Sequence, residues 1–259
     1  MLFEKEYSFL INKNMKIYYQ WNPWSYMNIA AKKIKKHLNI QIDDIVWMPE
    51  FNDVWKNIWI DWIWVLAIEN SYMWSIHPNM YGFLKHDFKI IWEYYLEINH
   101  CLCSKEKNIE ISNFWDTALA AKYVSESQEI RIGAICSTQA AKLHKLNILD
   151  ENIQDQNWNT TRFIVIVPKW PNIKYNKKAK KISIIFEAKN IPSSLYKCLW
   201  AFATNKINLT KIESLPSYKW AFSYYFWLEF GWKIKDKDVS KALEELNFFA
   251  KKVRILWEY

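Results

Sequence analysis

The residues best equipped for chemistry stand together at Asn159-Thr160-Thr161-Arg162-Phe163, a polar run that passes straight into Ile164-Val165-Ile166-Val167. β-Branched runs of this kind form buried strands. The Thr161 hydroxyl and the Arg162 guanidinium are therefore expected where a loop meets a rigid sheet edge, a favoured place for a site in an open α/β domain. Arg162 stands out because Lys carries nearly all the positive charge, the only arginines being Arg131, Arg162 and Arg254. A group that must grip a carboxylate through two hydrogen bonds is better served by Arg than by Lys. Taken alone, the same residues also suit a strand-end threonine and a surface arginine.

Two earlier loops have the surroundings to join such a site. Met15–Gln20 reads as a first strand, and after the loop Trp21–Tyr26 a basic helix runs to about Leu38. A loop at a helix N-terminus can present backbone N–H groups to an anion, and Ser25 lies in it. Ile63–Ile68 is a continuous buried strand that ends in Glu69-Asn70-Ser71. Polar residues at such a strand end line the cleft of open α/β sheets, although Asn and Ser equally favour caps and turns. His77 opens the following helix, a position where histidine is usually structural.

The remaining elements read as a strand at 44–48, a helix at 51–58, a long strand at 88–103, a helix at 116–125, a strand at 130–136 and a helix at 137–146. Their alternation argues for an α/β domain. Pro, Asn and Lys dominate 169–180, as in a linker. Beyond it come a strand (181–189), a helix (193–205), two strands (207–215 and 222–230), a helix (238–250) and a strand (253–259), the βαββαβ order of a ferredoxin-like split.

Composition narrows the function classes. With 51% hydrophobic and 24% charged residues, the 259-residue chain is expected to be soluble and globular. The formal charge of +8 suits an anionic partner, but the lysine clusters at 32–36 and 177–181 read as solvated faces, and no nucleic-acid motif accompanies them. Cys101, Cys103, Cys136 and Cys198 lack zinc-ligand or redox spacing, so reduced cytosolic thiols are expected. The N-terminus has no signal-peptide pattern. The apolar run from Ile58 to Ile68 is short and interrupted by Asp61, so no membrane span is expected.

Seventeen Trp stand against three Gly, whereas average usage of about 7% would place roughly 18 glycines in a chain of this length. The two counts together come close to that expectation. Several tryptophans occupy positions where turn chemistry wants glycine: Trp21 and Trp24 around Asn22-Pro23, Trp74 after a polar turn, and Trp232 after Gly231. The expectation is that one codon, read as glycine in the source, is written as tryptophan, with glycine belonging at 21, 24, 62, 64, 74, 92, 200, 220, 232 and 257. The abundant Lys, Asn and Ile fit an AT-rich genome. The alternative is a truly Trp-rich protein, such as one with a carbohydrate-binding surface. A bulky residue forced into a left-handed conformation costs about 1 to 2 kcal/mol, so backbone strain is expected at these positions.

With glycine at 21 and 24, the stretch from Tyr19 to Tyr26 resembles the opening motif of the prephenate dehydratases and their plant relatives, the arogenate dehydratases. Met27 departs from a common Ser. Ile68-Glu69-Asn70-Ser71, with Trp74 in a family Gly position before Ser75-Ile76, resembles the second signature, and Asn159 to Phe163 the third. Trp92-Glu93 matches a family Gly-Glu, His100-Cys101-Leu102 the end of that strand, and Thr117 a Thr before an Ala-Ala pair. Between Ser104 and Asn113 the chain lacks a unit the size of a strand plus a helix, which members usually carry with a Ser-His-Pro-type motif. The second half resembles an ACT domain. Ile191 to Tyr196 stands where the family has Pro-Gly-Ala-Leu, and Glu213-Ser214-Leu215-Pro216 where it has Glu-Ser-Arg-Pro; Ser193 for Gly and Leu215 for Arg are departures.

The resemblance covers almost the whole chain. It implies a two-subdomain catalytic domain at 15–168, like a type II periplasmic-binding-protein fold with the site between subdomains, a linker at 169–180 and an ACT regulatory domain at 181–259. The implied reaction is loss of water and carbon dioxide from prephenate to give phenylpyruvate, in phenylalanine biosynthesis. Aromatisation supplies the driving force, so no metal or organic cofactor is implied. In this reading Thr161 hydrogen-bonds or protonates the leaving hydroxyl, while Arg162 and backbone donors near Ser25 orient carboxylates. Glu69, Asn70, Ser71, Thr117, Asn159 and Phe163 line the cleft. Phenylalanine is the implied effector, held by Ser193, Ser194, Leu195, Glu213, Ser214, Leu215 and Pro216 in a cytoplasmic homodimer or homotetramer. An arogenate dehydratase is one alternative. A non-catalytic phenylalanine-binding protein is the other, motivated by the missing segment.

Overall fold

The computed structural model describes residues 15–38, 42–49, 53, 55, 62–107, 110–111, 117–168, 180–217, 223–231 and 234–259. The chain divides into two compact units, residues 1–86 with 93–168 and residues 87–92 with 169–259. The expected linker and the expected helix at 51–58 fall largely outside the described residues.

The first unit is built on two sheets. The larger contains β1 (Met15–Gln20), β2 (Ile42–Met48), β3 (Trp62–Asn70), β5 (Phe88–Glu97, of which 93–97 belong to this unit) and β10 (Thr160–Pro168) in the order β2-β1-β3-β10-β5, with the short β4 (Trp74–Ser75) attached to β3. β1 runs parallel to both β2 and β3, whereas β10 is antiparallel to β3. The sheet's centre explains the apolar runs: Ile63–Ile68 and Phe163–Val167 are all buried, as strands covered on both faces must be. α1 (Tyr26–Leu38) makes the crossover from β1 to β2. It buries Met27, Ile29, Ala30, Ala31, Ile34 and Leu38, and Lys35, Lys36 and His37 in its last turn suit the negative end of its dipole. α2 (His77–Lys85) places Pro78 in its first turn, where the missing N–H costs no helical hydrogen bond.

The smaller sheet has the order β7-β8-β6-β9, from β6 (His100–Ser104), β7 (Glu110–Ile111), β8 (Ile132–Ser137) and β9 (Asn147–Glu151). α3 (Thr117–Glu126) and α4 (Thr138–Leu143) cover it, around a core that includes Cys101, Cys103, Ala121, Val124, Cys136 and Ala141. The strand expected to run unbroken over 88–103 is two strands. At Ile98-Asn99 the chain leaves the large sheet for the small one, and after β9 it returns. The two crossovers run side by side: the Ile98 N–H donates to the Asn159 carbonyl at 2.8 Å, and the Ile153 N–H to the His100 carbonyl at 3.1 Å. The inward-facing phase changes at the break: even-numbered Phe88, Ile90 and Leu96 are buried in β5, and odd-numbered Cys101 and Cys103 in β6.

The second unit follows the expected order closely: β11 (Ile182–Ala188), α5 (Ser194–Thr204), β12 (Leu209–Pro216), β13 (Tyr224–Phe230), α6 (Lys237–Phe249) and β14 (Ala250–Glu258). Its sheet is antiparallel, in the order β12-β13-β11-β14. Both helices pack on one face, over Ile184, Phe186, Leu228 and Phe230.

Four of the eight described non-glycine residues with positive φ are tryptophans, the others being Lys145, Asn152, Ser193 and Lys206. Trp21 (φ 74°), Trp24 (φ 82°), Trp74 (φ 62°) and Trp257 (φ 155°) have positive φ, and no described glycine does. Asn, Asp and His are the side chains that tolerate this region; a bulky residue there is an outlier. By contrast Trp62, Trp64, Trp92 and Trp200 lie in regular strands or helices without positive φ, so four of the ten expected glycine positions are marked by the backbone itself. Trp220 and Trp232 fall outside the described residues. Trp74 is 80% exposed and Trp64 fully buried. Trp74→Gly should therefore raise stability by about 1 kcal/mol by removing strain. Trp64→Gly should lower it by roughly 3 to 5 kcal/mol through the cavity it leaves. Urea unfolding midpoints of the two variants check both signs.

Candidate active site

Antiparallel pairing of β3 and β10 brings the two polar strand ends together, with Asn70 opposite Thr161 and Glu69 opposite Arg162. A register shift between Arg162 and Phe163 then sets Phe163 against Ala67. Such an irregularity re-aims side chains at a strand end. Here it separates the polar cluster from the apolar run: Phe163 is fully buried and belongs to the packing of the sheet, away from the expected lining of a cleft.

Asn70 organises the cluster. Its Oδ1 accepts the N–H groups of Tyr72 at 2.9 Å and Met73 at 2.8 Å, the closed turn that a strand-end Asn favours. That fixes the amide's orientation and aims Nδ2 the other way, toward Asn159 Oδ1 at 2.7 Å, Thr161 Oγ1 at 3.0 Å and the Thr160 carbonyl at 3.3 Å. Thr161 thus accepts a hydrogen bond on its oxygen, and its own O–H points its proton elsewhere. A donor on the oxygen polarises the hydroxyl and makes it a better donor in turn. Ser71 holds the loops rather than the cluster, donating from Oγ to the Trp158 carbonyl at 2.9 Å and accepting the Thr160 N–H at 2.8 Å.

Arg162 is 5% exposed. Its Nε donates to Glu93 Oε2 at 2.8 Å, and a terminal nitrogen lies 3.3 Å from Glu69 Oε2. Two carboxylates face one guanidinium, so Arg162 meets any substrate carboxylate already paired within the protein. Truncating one partner of so buried a pair leaves an uncompensated charge, worth about 3 to 5 kcal/mol. Glu93 was visible in the sequence only as part of a motif; its pairing with Arg162 spans 69 residues.

Ser25 is the N-cap of α1, its Oγ accepting the Asn28 N–H at 3.4 Å. Thr117 opens α3 on the small sheet's side, in an element separate from the Asn70 cluster. Residues that sequence reasoning missed lie next to Ser25. The Tyr26 hydroxyl donates to the Asn99 carbonyl at 2.6 Å and lies 3.1 Å from His100 Nδ1. Burial pushes the Tyr26 phenol well above its usual range, aided by the nearby Cys136 and Cys101 thiols, and burial lowers the His100 pKa against the opposing charge of Asp155. Each residue lay in a stretch that resembles the family, but nothing in the sequence paired them across 74 residues. Among the described residues no group of His, Cys, Asp and Glu is arranged to hold a metal, and no helix is long and apolar enough to cross a membrane.

In the second unit the expected effector residues divide. Ser194 and Leu195 line a hollow of about 160 Å³ together with Ala188, Ile191, Tyr224 and Phe226. Ser194 is 6% exposed, and its Oγ is buried without a hydrogen-bond partner. Ser193 sits beside it in the left-handed conformation (φ 62°, ψ 9°), where the matching family residue is Gly. On β12, Ser214 and Pro216 pair with Phe226 and Tyr224. Leu215 is fully buried, and Glu213 pairs with Lys211 at 3.7 Å.

Known proteins share the sequence pattern and the fold of this chain. The prephenate dehydratase family model matches residues 17–111 and 104–170, two stretches that meet just after β6, where the sequence suggested a missing unit. The prephenate dehydratase of Methanocaldococcus jannaschii is 34% identical over 274 positions, spanning 95% of this chain and 98% of that protein. The chloroplastic arogenate dehydratase/prephenate dehydratase 1 of Arabidopsis thaliana is 33% identical over 291 positions, spanning 96% of this chain and 72% of that one. Both alignments are longer than the 259-residue chain, so each relative has residues that this chain lacks. Among solved structures, a prephenate dehydratase from Arthrobacter aurescens in complex with L-Phe shares the fold, with a TM-score of 0.77 at 20% identity over 94% of this chain and 89% of that one. By the extent of these matches, and with its polar strand ends joined through Asn70 and Thr161, the chain belongs to the prephenate dehydratase family.

Proposed function

We propose that the protein is a prephenate dehydratase whose chemistry is carried by the Thr161 hydroxyl, and the observation that supports it most is the Asn70–Thr161 hydrogen bond at 3.0 Å. In the reaction the ring C–OH bond and the bond to the ring carboxylate both break. The electrons of the second fill the ring as it becomes aromatic, so prephenate dianion and one proton become phenylpyruvate, carbon dioxide and water. The protein has to hold the dianion, stabilise the departing hydroxide and exclude other outcomes. Thr161, polarised by Asn70, donates to the leaving oxygen. The first turn of α1 beside Ser25 offers its positive end to a carboxylate. Arg162, tied to Glu69 and Glu93, fixes the start of β10 and so the place of Thr161.

The second unit supports regulation by phenylalanine. The hollow beside Ser194 sets Ala188, Ile191, Leu195 and Phe226 against Lys189, Asn190, Ser223 and one buried hydroxyl that lacks a partner, a mixed lining that suits an apolar side chain with a polar end. The relative from Arthrobacter aurescens was solved with L-Phe. The reading includes a homodimer or homotetramer in the cytoplasm, supported by the open edges of the β12-β13-β11-β14 sheet. Arogenate, which carries an amino group in place of the side-chain keto oxygen, is the second substrate reading, favoured by the name of the Arabidopsis relative. A phenylalanine-binding protein without turnover is favoured by the residues missing after β6.

Three outcomes check this. Thr161→Val should lower kcat for phenylpyruvate formation by roughly 100- to 1000-fold, the loss typical of one transition-state donor, while Thr161→Ser retains most of the rate. Paired kcat/KM values on prephenate and arogenate should favour prephenate; preference for arogenate reverses the substrate, and calorimetric phenylalanine binding with no turnover of either favours the binding protein. Ser194→Leu, which fills the hollow, should abolish the change in turnover that phenylalanine causes in the unaltered protein.

A further inference from the structure

The polar cluster around Thr161 does not end at Asn159. The Asn159 carbonyl accepts the Ile98 N–H at 2.8 Å, which carries the network onto the crossover between β5 and β6. The next residue, Asn99, accepts the Tyr26 hydroxyl on its carbonyl at 2.6 Å. The one after that, His100, places Nδ1 3.1 Å from the same phenol oxygen, with the two rings edge to face at 5.5 Å. Gln154, on the return crossover, closes the loop: it accepts the His100 N–H at 3.0 Å and donates to Asn99 Oδ1 at 3.3 Å. Tyr26 is itself the first residue of α1 and follows its cap, Ser25. A single phenol oxygen therefore joins the loop that carries Ser25 to the crossover that supports Thr161, across 73 residues of sequence.

The proton inventory is consistent. The phenol has one hydrogen, spent on the Asn99 carbonyl, so its oxygen is an acceptor for His100 and the imidazole hydrogen sits on Nδ1. Burial keeps the phenol protonated across the working range.

We propose that Tyr26 is a positioning residue for the dehydration, its hydroxyl setting the distance between the anion-facing loop at Ser25 and the leaving-group donor Thr161. The inference rests on the dehydratase reading for its chemical meaning. Substrate carboxylate and leaving hydroxyl are held by different loops, and only the transition state needs both at once. Loosening the tie leaves either loop able to bind and costs the simultaneous geometry, and misplacement by about 1 Å costs on the order of 100-fold.

The test compares the unaltered protein with Tyr26→Phe, His100→Asn and His100→Ala. Steady-state turnover of prephenate and arogenate is read together with amide hydrogen exchange over Leu96–Leu102. Tyr26→Phe is expected to lower kcat by roughly 10- to 100-fold, with KM changed much less, and to speed exchange over that segment. His100→Ala should move both readouts in the same direction. His100→Asn, whose amide N–H can replace the Nδ1 donor, should restore both. Unchanged kcat and exchange in Tyr26→Phe overturn the proposal. So does a His100→Asn variant as impaired as His100→Ala, since the imidazole would then act other than through this bond. An unaltered protein inert on both substrates counts against the dehydratase reading instead, and the exchange data still decide whether Tyr26 ties the crossover.

Discussion

The side chain of Asn70 is the point on which the first unit's polar architecture depends. It sits at the last residue of a fully buried strand, where the backbone turns away and polar groups can no longer pair within the sheet. Its oxygen closes that turn on the Tyr72 and Met73 N–H groups, and its nitrogen reaches Asn159, Thr160 and Thr161 on the neighbouring strand. An amide with both ends committed cannot flip without setting its nitrogen against two N–H groups and its oxygen against the Asn159 and Thr160 oxygens. The Thr161 hydroxyl inherits its orientation from that constraint.

Around this point the charges are arranged for rigidity. Glu69 and Glu93 approach Arg162 from β3 and β5, the strands on either side of β10 in the sheet. Their shared guanidinium laces three adjacent strands together. Networks of this kind are high-stakes in a low dielectric: fully satisfied, they specify one geometry. The guanidinium that the sequence offered as a ligand for substrate is, in the folded chain, first a brace for the strand that carries Thr161.

The turns tell a different story from the core. Three of the four tryptophans at positive φ flank the site, at 21 and 24 in the loop before Ser25 and at 74 where the turn after Asn70 and Ser71 enters the short β4. Loops that bring backbone N–H groups close to a ligand need left-handed residues, and glycine is the residue that adopts them without strain. The backbone asks for glycine where the chain carries indole. Trp64 within β3, its ring 4.7 Å from that of Tyr18 and tilted to it, shows no such conflict.

The sequence by itself determined most of the elements, though not β4, β7 or β9. The buried runs at 63–68 and 163–167, the capped helix after Ser25 and the βαββαβ order of the second unit all follow from local periodicity and turn chemistry, because burial on one or both faces writes its pattern into neighbouring residues. It also drew attention to Glu69, Asn70, Ser71, Asn159, Thr161 and Arg162, polar residues placed at strand ends. Only the tertiary structure decided how they combine. Asn70 and Thr161 are 91 residues apart, Arg162 and Glu93 are 69 apart, and Tyr26 and His100 are 74 apart. It broke the strand expected over 88–103 at Asn99, turned Phe163 into the core and gave Arg162 two internal partners. The physical reason is that side-chain hydrogen bonds and ion pairs depend on strand register and on where the chain crosses between sheets, and local periodicity names no partner 69 to 91 residues away.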